Sequence, residues 1–297
     1  MAQRIGKSKP QGNDKRDKKK PGGFSKFYKK PNPKAVIKNK PIPKHIKEKE
    51  DVPTTIAISK DGSMRLNKFI AHAGVCSRRE ADKLIGTGVI TINGNIVTEL
   101  GYKVKRGDKV HMDGQLLTAE KLMYVLLNKP KNFVTTTDDP QERKTVMDLV
   151  SKATSERIYP VGRLDKNTTG LLLLTNDGDL AKKLTHPKHR VRKVYHVFLN
   201  KPFTKSDMKK VTDGVELEDG EIIVDKISYV ETEPSKKEVG IQIHSGRNRI
   251  VRRLFEHLGY DVMKLDRVVF AGLTKKDLPR GKWKHLSKAE LDFIHMI

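Results

Sequence analysis

Residues 171–174 are four consecutive leucines, set in TGLLLLTNDG between Gly170 and the turn-forming Asn176-Asp177-Gly178. A strand with one wet face alternates apolar and polar residues; an unbroken apolar run of this length is a strand covered on both faces. The chain must therefore build a sheet with packing on each side of this strand. The preceding loop reads GRLDKNT, so Asp165 sits beside a rigid core element, with Arg163, Lys166 and Asn167 around it. Nearby cations keep such a carboxylate ionised, and a core strand can hold its loop in place. Composition alone favours a turn or capping aspartate. TNDGDL reads as a turn leading into a helix cap.

Further strands are expected in YVLLNKP (124–130), FVTTT, VRKVYHVFL, KISYVETE, EVGIQIH and RVVFAGL. A short helix is expected around Val146–Val150. In NRIVRRLFEHLG, Ile250, Val251, Leu254, Phe255 and Leu258 fall at helical spacing, with Gly259 as the stop. Strands outnumber helices and most neighbours can pair antiparallel, so this part, residues 120–297, reads as an α+β domain with a large mixed, mainly antiparallel sheet flanked by helices.

A smaller unit precedes it at 63–119. Leu66, Phe69, Ile70 and Ala73 follow the i, i+3, i+4, i+7 spacing of a one-faced helix that Gly74 ends. Ser77 and Glu80 have the spacing of a capping box for a second helix that buries Leu84 and Ile85. ITINGNIV alternates around Asn93-Gly94, a hairpin signal, and KVKRGDKVHMDG suggests another strand pair turning at Gly107. Arg78 and Arg79 open the second helix, where cations oppose the helix dipole unless an anion binds there.

Residues 1–62 differ from both units. The first 50 residues hold 17 Lys+Arg against 4 Asp+Glu, with six prolines and no apolar periodicity. Such a segment cannot bury enough surface to offset its ordering entropy and is expected to be a disordered basic arm. The whole chain of 297 residues carries 61 Lys+Arg against 36 Asp+Glu. That excess favours a polyanionic partner, because each phosphate neutralised releases counterions. Nothing in the sequence resembles a membrane span or a secretory leader, so a cytoplasmic protein is expected. Its one cysteine, Cys76, excludes an internal disulfide and reads as a small packing residue.

Common catalytic signatures are missing: no phosphate-binding glycine loop, no dinucleotide fingerprint, no zinc-protease pair of histidines, no nucleophile elbow. His186 and His189 lack a third ligand nearby, so no metal and no cofactor is expected. A glycosidase needs two carboxylates within about 5–9.5 Å. Asp177 and Asp179 lie beyond the leucine strand, on the order of 17–20 Å from Asp165.

Taken together, RLNKFIAHAGVCSRREADKLI with its hairpin resembles the S4 RNA-binding module. GRLDKNTTGLLLLTNDG resembles the central motif of RNA pseudouridine synthases of the RsuA/RluB type. NKPKNFVTT (128–136), KVYHVFL (193–199) and GRNRIVRRLFEHLGYDVMKLDRVVFAGL (246–273) occur in that family's order. The resemblance implies a monomeric enzyme that isomerises a uridine of ribosomal RNA, leaning towards the large subunit, with neither metal nor small-molecule cofactor. It implies that Asp165 is catalytic, that Tyr195 stacks on the target base and that Arg252 pairs with the aspartate. Arg163 and Lys129 match motif positions near the site. In the S4 module Arg65, Lys68, Ser77, Arg78, Arg79 and Lys83 would face RNA. The family motif carries glutamine where this chain has Ile250. Two alternatives stand beside this reading: a noncatalytic RNA-binding or ribosome-assembly protein, for which the S4 module and arm would suffice, and a nucleoside glycosidase.

Overall fold

The computed structural model describes residues 62–297; the basic arm expected at 1–62 lies, but for Gly62, outside them. The first unit opens with strand β1 (Ser63–Arg65) and helices α1 (Leu66–His72) and α2 (Arg78–Gly86). Strands β2 (Ile90–Ile92), β3 (Asn95–Ile96), β4 (Lys103–Lys105), β5 (Val110–Met112) and β6 (Gln115–Leu116) follow. The Ser77–Glu80 capping box forms as read: Ser77 Oγ accepts from Glu80 N, and the Glu80 carboxylate accepts from Ser77 N at 2.7 Å. Leu66, Ile70, Ala81 and Ile85 pack on Ile90, Ile92, Val104 and Val110. Leu84 is only partly buried. Cys76 packs against the same cluster, and burial pushes its thiol up.

The hairpin at Asn93-Gly94 forms with both residues at positive φ, 52° and 85°, as a two-residue turn of this kind requires. The strand pair expected across Gly107 does not. The chain turns there, but β4 pairs with β1 whereas β5 joins the sheet β3-β2-β5-β6. The cause is local: Asn93 donates to Asp108 at 2.9 Å and accepts from Lys109 N at 3.0 Å, tying the chain beyond the turn to the β2–β3 hairpin.

The second unit comprises β7 (Tyr124–Lys129), α3 (Val146–Val150), β8 (Tyr159–Pro160), β9 (Thr169–Thr175), α4 (Gly178–Thr185) and β10 (Lys193–Leu199). Next come α5 (Lys205–Asp213), β11 (Val215–Leu217), β12 (Gly220–Ile222), β13 (Lys226–Tyr229) and β14 (Glu238–Ile243). The last elements are α6 (Ile250–His257), β15 (Val262–Phe270), β16 (Leu273–Thr274), β17 (Trp283–His285) and α7 (Lys288–Met296). The sheet runs β13-β14-β10-β15-β9-β7-β17, with β16 on β15 and β8 on β9. Among the strands of the described residues, only β15 and β9 are parallel neighbours. The sheet is thus mixed and mainly antiparallel.

The leucine run behaves as its lack of alternation requires. Leu172 and Leu174 enter the cluster shared with α3, α5 and α6, and Leu171 and Leu173 enter the one shared with α4 and α7. Asp177 caps α4, accepting from Asp179 N and Leu180 N. FVTTT makes no strand, only a single bridge between Val134 and Thr145. Both edges of β7 are already taken by β9 and β17, so this segment cannot form a hairpin with the strand that precedes it. KISYVETE is extended only as far as Tyr229.

Helices α4 and α7 cover one half of their face of the sheet. Across β13, β14, β10 and β15 the same face presents His196, Phe198, Glu238, Gln242, Lys264 and Asp266, and among the described residues no helix packs over these side chains. The two units touch where Lys68 Nζ meets the Asp179 carboxylate at 2.8 Å and Glu120 N donates to His72 O at 3.0 Å.

Candidate active site

The loop 162–168 is held by a buried lysine. Lys129, at the end of β7, is 0% exposed, and its Nζ donates to the carbonyls of Thr168 (2.8 Å), Asp165 (3.0 Å), Pro130 (3.1 Å) and Lys166 (3.3 Å). Thr135 fixes the same loop from below, donating to Leu164 O at 2.8 Å, while Leu164 itself is buried. The Asp165 backbone is thereby immobilised and its carboxylate points to a cavity of about 160 Å³. Lys129 holds the backbone of this loop and makes no ion pair with the carboxylate.

Two arginines do approach the carboxylate. Arg249 Nη1 lies 3.6 Å and Arg252 Nε 3.8 Å from Asp165 Oδ2. Both belong to the loop and first turn of α6; Arg249 occupies the cap position with φ 45°, a left-handed conformation uncommon for a non-glycine residue. Arg252 Nη1 donates to Val262 O at 2.9 Å, and burial pushes its guanidinium down, followed by the neighbouring charge of Arg249. Ile250 sits on the first turn of α6, buried in the main core and against the cavity, so apolar packing is what this position supplies here.

Tyr195 on β10 lines the cavity, paired across the sheet with Ile241 and Arg267. Arg267 lies beneath it, buried over the Phe270 ring at 4.4 Å, with Nε donating to Leu171 O at 2.8 Å. Burial pushes its guanidinium down, opposed by the Tyr195 oxygen. Lys193 is also buried at the wall, and donates to the carbonyls of His244 (3.0 Å), Val191 and Ser245 (both 3.3 Å). Arg163 is exposed at the rim, where this cavity meets a second of about 650 Å³ formed with Thr136, Pro140 and Arg143. The site is one carboxylate among cations, with an aromatic wall. Such a pocket can bind a flipped nucleotide and stabilise positive charge at one carbon.

The structure brings Asp165, Tyr195, Arg252, Arg163 and Lys129 together. Arg249, Arg267 and Lys193 complete the pocket, and no sequence signal separates them from the many other cations. In the first unit, Arg78 and Arg79 open α2 on its exposed side, with Arg78 Nη2 near Asn67 Oδ1 at 3.4 Å; Arg65 and Lys83 are exposed too. Ser77 is committed to its cap, and Lys68 is paired with Asp179 at the junction of the two units.

Burial also moves the two lysines: Lys129 and Lys193 are each lowered to about 8, desolvation being the main cause. Their folded values lie below the ordinary 10.5, so between about pH 8 and 10.5 the unfolded chain holds more protons. Stability contributed by these sites therefore rises with pH across that window. Thermal denaturation of wild type and Lys129→Met at pH 7.5 and 9.5 should show the wild type gaining on the variant at the higher pH, by up to about 2 kcal/mol. An unchanged difference would remove the buried cation from this account.

Comparisons with known proteins identify the family. The RNA pseudouridylate synthase model matches residues 123–257, and the S4 domain model matches 64–110. Ribosomal large subunit pseudouridine synthase B of Bacillus subtilis (strain 168) is 42% identical over 229 residues, 76% of this chain and 93% of that protein. The dual-specificity RNA pseudouridine synthase RluF of Escherichia coli (strain K12) is 40% identical over 234 residues, 78% of each chain. A crystal structure of a pseudouridylate synthase, 29% identical, covers 78% of this chain and 99% of its own with a TM-score of 0.56. An S4 domain joined to a mixed-sheet domain with this pocket defines an RNA-modifying isomerase. The chain belongs to the RNA pseudouridylate synthase family.

Proposed function

We propose that this enzyme converts a uridine of ribosomal RNA, in the large subunit, to pseudouridine, with Asp165 as its catalytic carboxylate. The observation that carries the reading is Asp165 as the one acid lining a pocket whose other charged residues are cations and whose wall includes Tyr195, with Arg249 and Arg252 3.6 and 3.8 Å from its carboxylate. The B. subtilis relative, which this chain matches over most of its length, carries the large-subunit assignment in its name.

The N1–C1′ bond of uridine breaks, the freed uracil turns within the pocket, and C5 bonds to C1′. The C5 proton is lost and N1 gains one, so atoms and electrons balance without any co-substrate. Carbon C1′ becomes oxocarbenium-like as N1 leaves. A carboxylate held by a clamped backbone stabilises that centre by attack or by charge, or removes a ribose proton on a glycal route. Arg249 and Arg252 orient the carboxylate, and Tyr195 provides the surface on which the base rests while it turns. The pocket walls keep the detached base from escaping, which separates isomerisation from simple glycoside hydrolysis. The exposed arginines of α2, with Arg65 and Lys83, hold the RNA outside the pocket. No metal or small-molecule cofactor enters this scheme, and we assign the protein to the cytoplasm as a monomer.

Purified protein should release tritium from C5-labelled uridine in a large-subunit ribosomal RNA transcript without freeing uracil. Mapping pseudouridines in ribosomal RNA from cells with and without the protein identifies the position. Tritium release confined to small-subunit RNA would overturn the substrate assignment, and liberated uracil would overturn the isomerase one.

A further inference from the structure

We propose that the uncovered face of the central sheet, opposite Tyr195, is a second RNA-binding surface that holds a single-stranded segment of the substrate away from the target uridine. The inference rests on the RNA substrate proposed above and goes beyond it, because no residue of this face lines the catalytic pocket.

Side chains alternate across a strand, so Tyr195 and Arg267 face the pocket while His196, Phe198, Lys264 and Asp266 face the other way. There they form a groove of about 450 Å³ with Lys131, Thr169, Glu238 and Arg280. Three features point to nucleic acid as its occupant. First, Phe198 belongs to none of the apolar clusters of the described residues, although it lies mid-sheet. An aromatic ring on an open antiparallel face is the arrangement on which single-stranded bases stack. Lys264 Nζ stands 5.0 Å from that ring's centroid, where it can meet the phosphate beside a stacked base.

Second, the acids of the groove are already hydrogen-bonded within the protein. The Asp266 carboxylate is bound by Lys275, by Arg280 at 2.9 Å and by Thr169 at 2.8 Å; Glu238 lies 2.6 Å from His196 Nε2. Lys131 and Lys264 are exposed beyond these pairs and leave the groove positive. Third, the groove adjoins the catalytic loop: Thr168 lines the pocket and Thr169 the groove, and Asn132 N donates to Lys166 O at 2.9 Å, which sets Lys131 beside the same loop. Charge also argues against the chain's own N-terminal residues as occupant, since the first 50 hold 17 Lys+Arg against 4 Asp+Glu.

The test compares two RNAs with the full-length protein: the ribosomal RNA transcript that it modifies, and a short hairpin excised around the mapped uridine. Phe198→Ala, and separately Lys131→Glu with Lys264→Glu, should weaken affinity for the transcript about tenfold, as loss of one stacked base or two phosphate contacts does. The double variant should also lower the salt slope of binding by about two. Turnover on the hairpin should stay within twofold of wild type. RNA substituted with 4-thiouridine outside the target position should cross-link in the wild type to Phe198, Lys264 or Lys131 themselves, as opposed to the pocket residues Tyr195 and Leu265, which tests the surface without any variant. Unchanged transcript affinity with no cross-link at these three residues overturns the proposal, as does equal loss on both RNAs. If deleting residues 1–61 exposes the groove lysines to acetylation in RNA-free protein, the arm is the occupant and the proposal fails. A wild type inactive on both RNAs would fail the proposed function instead, so the two failures are distinguishable.

Discussion

Asp165→Asn is expected to abolish isomerisation, lowering tritium release by at least about 10⁴-fold, the scale on which loss of a group acting directly on the reacting centre is felt. The substitution keeps the size and shape of the side chain and removes its charge. Everything that holds the loop contacts the backbone: Lys129 Nζ binds the Asp165 carbonyl, and Thr168 N donates to it at 3.0 Å. Thermal stability and affinity for the RNA transcript should therefore stay close to wild type. A noncatalytic RNA-binding protein would predict the opposite pattern, with Asp165→Asn silent and Arg78→Ala plus Arg79→Ala damaging. Residual turnover within tenfold of wild type would remove Asp165 from the chemistry.

Gly170→Ala is expected to cost more stability than any exposed substitution, above about 4 kcal/mol, where a total of roughly 5–15 kcal/mol is typical of a domain. Gly170 has φ +111°, and a Cβ there would lie 2.2 Å from the carbonyl oxygen and 2.5 Å from the nitrogen of Arg267. Both atoms are backbone of the adjacent strand in the only parallel pairing of the large sheet, so neither can swing aside. The strands must part, and they carry Asp165 at one end and Arg267 at the pocket wall. Urea denaturation followed by circular dichroism measures the loss, and activity should fall with it. A stable, active alanine variant would show that the close approach of β9 and β15 is not required.

Much of the fold is legible in local pattern. The four leucines report two-sided burial because a strand has only two faces, and alternate members indeed enter different cores. Helix α6 is readable because five apolar residues share one stripe. The failures share a cause: pairing partners lie outside any local window. FVTTT has the composition of a strand, but both edges of the preceding strand β7 are taken, and Lys103–Lys105 pairs forty residues back instead of across the nearest turn. At the site, Asp165, Tyr195 and Arg252 are legible through ordered motifs, whereas Arg249 is one cation in RNRIVRR until its 3.6 Å approach to the carboxylate distinguishes it. Lys129 is legible as a site residue, yet its work is done on four carbonyls, a role that charge alone does not suggest.

The parallel neighbours β9 and β15 also set an order of assembly. Thr169 meets Asp266 and Gly170 meets Arg267 across almost a hundred residues, and a pairing that distant forms late, after its loop-closure entropy has been met. During synthesis from the N-terminus, the S4 unit, whose strand pairings all lie within residues 63–116, is complete long before β15 emerges. The nascent enzyme can therefore grip RNA before it can modify it. Truncation beyond the S4 unit but ahead of Val262 should leave a binder without a pocket.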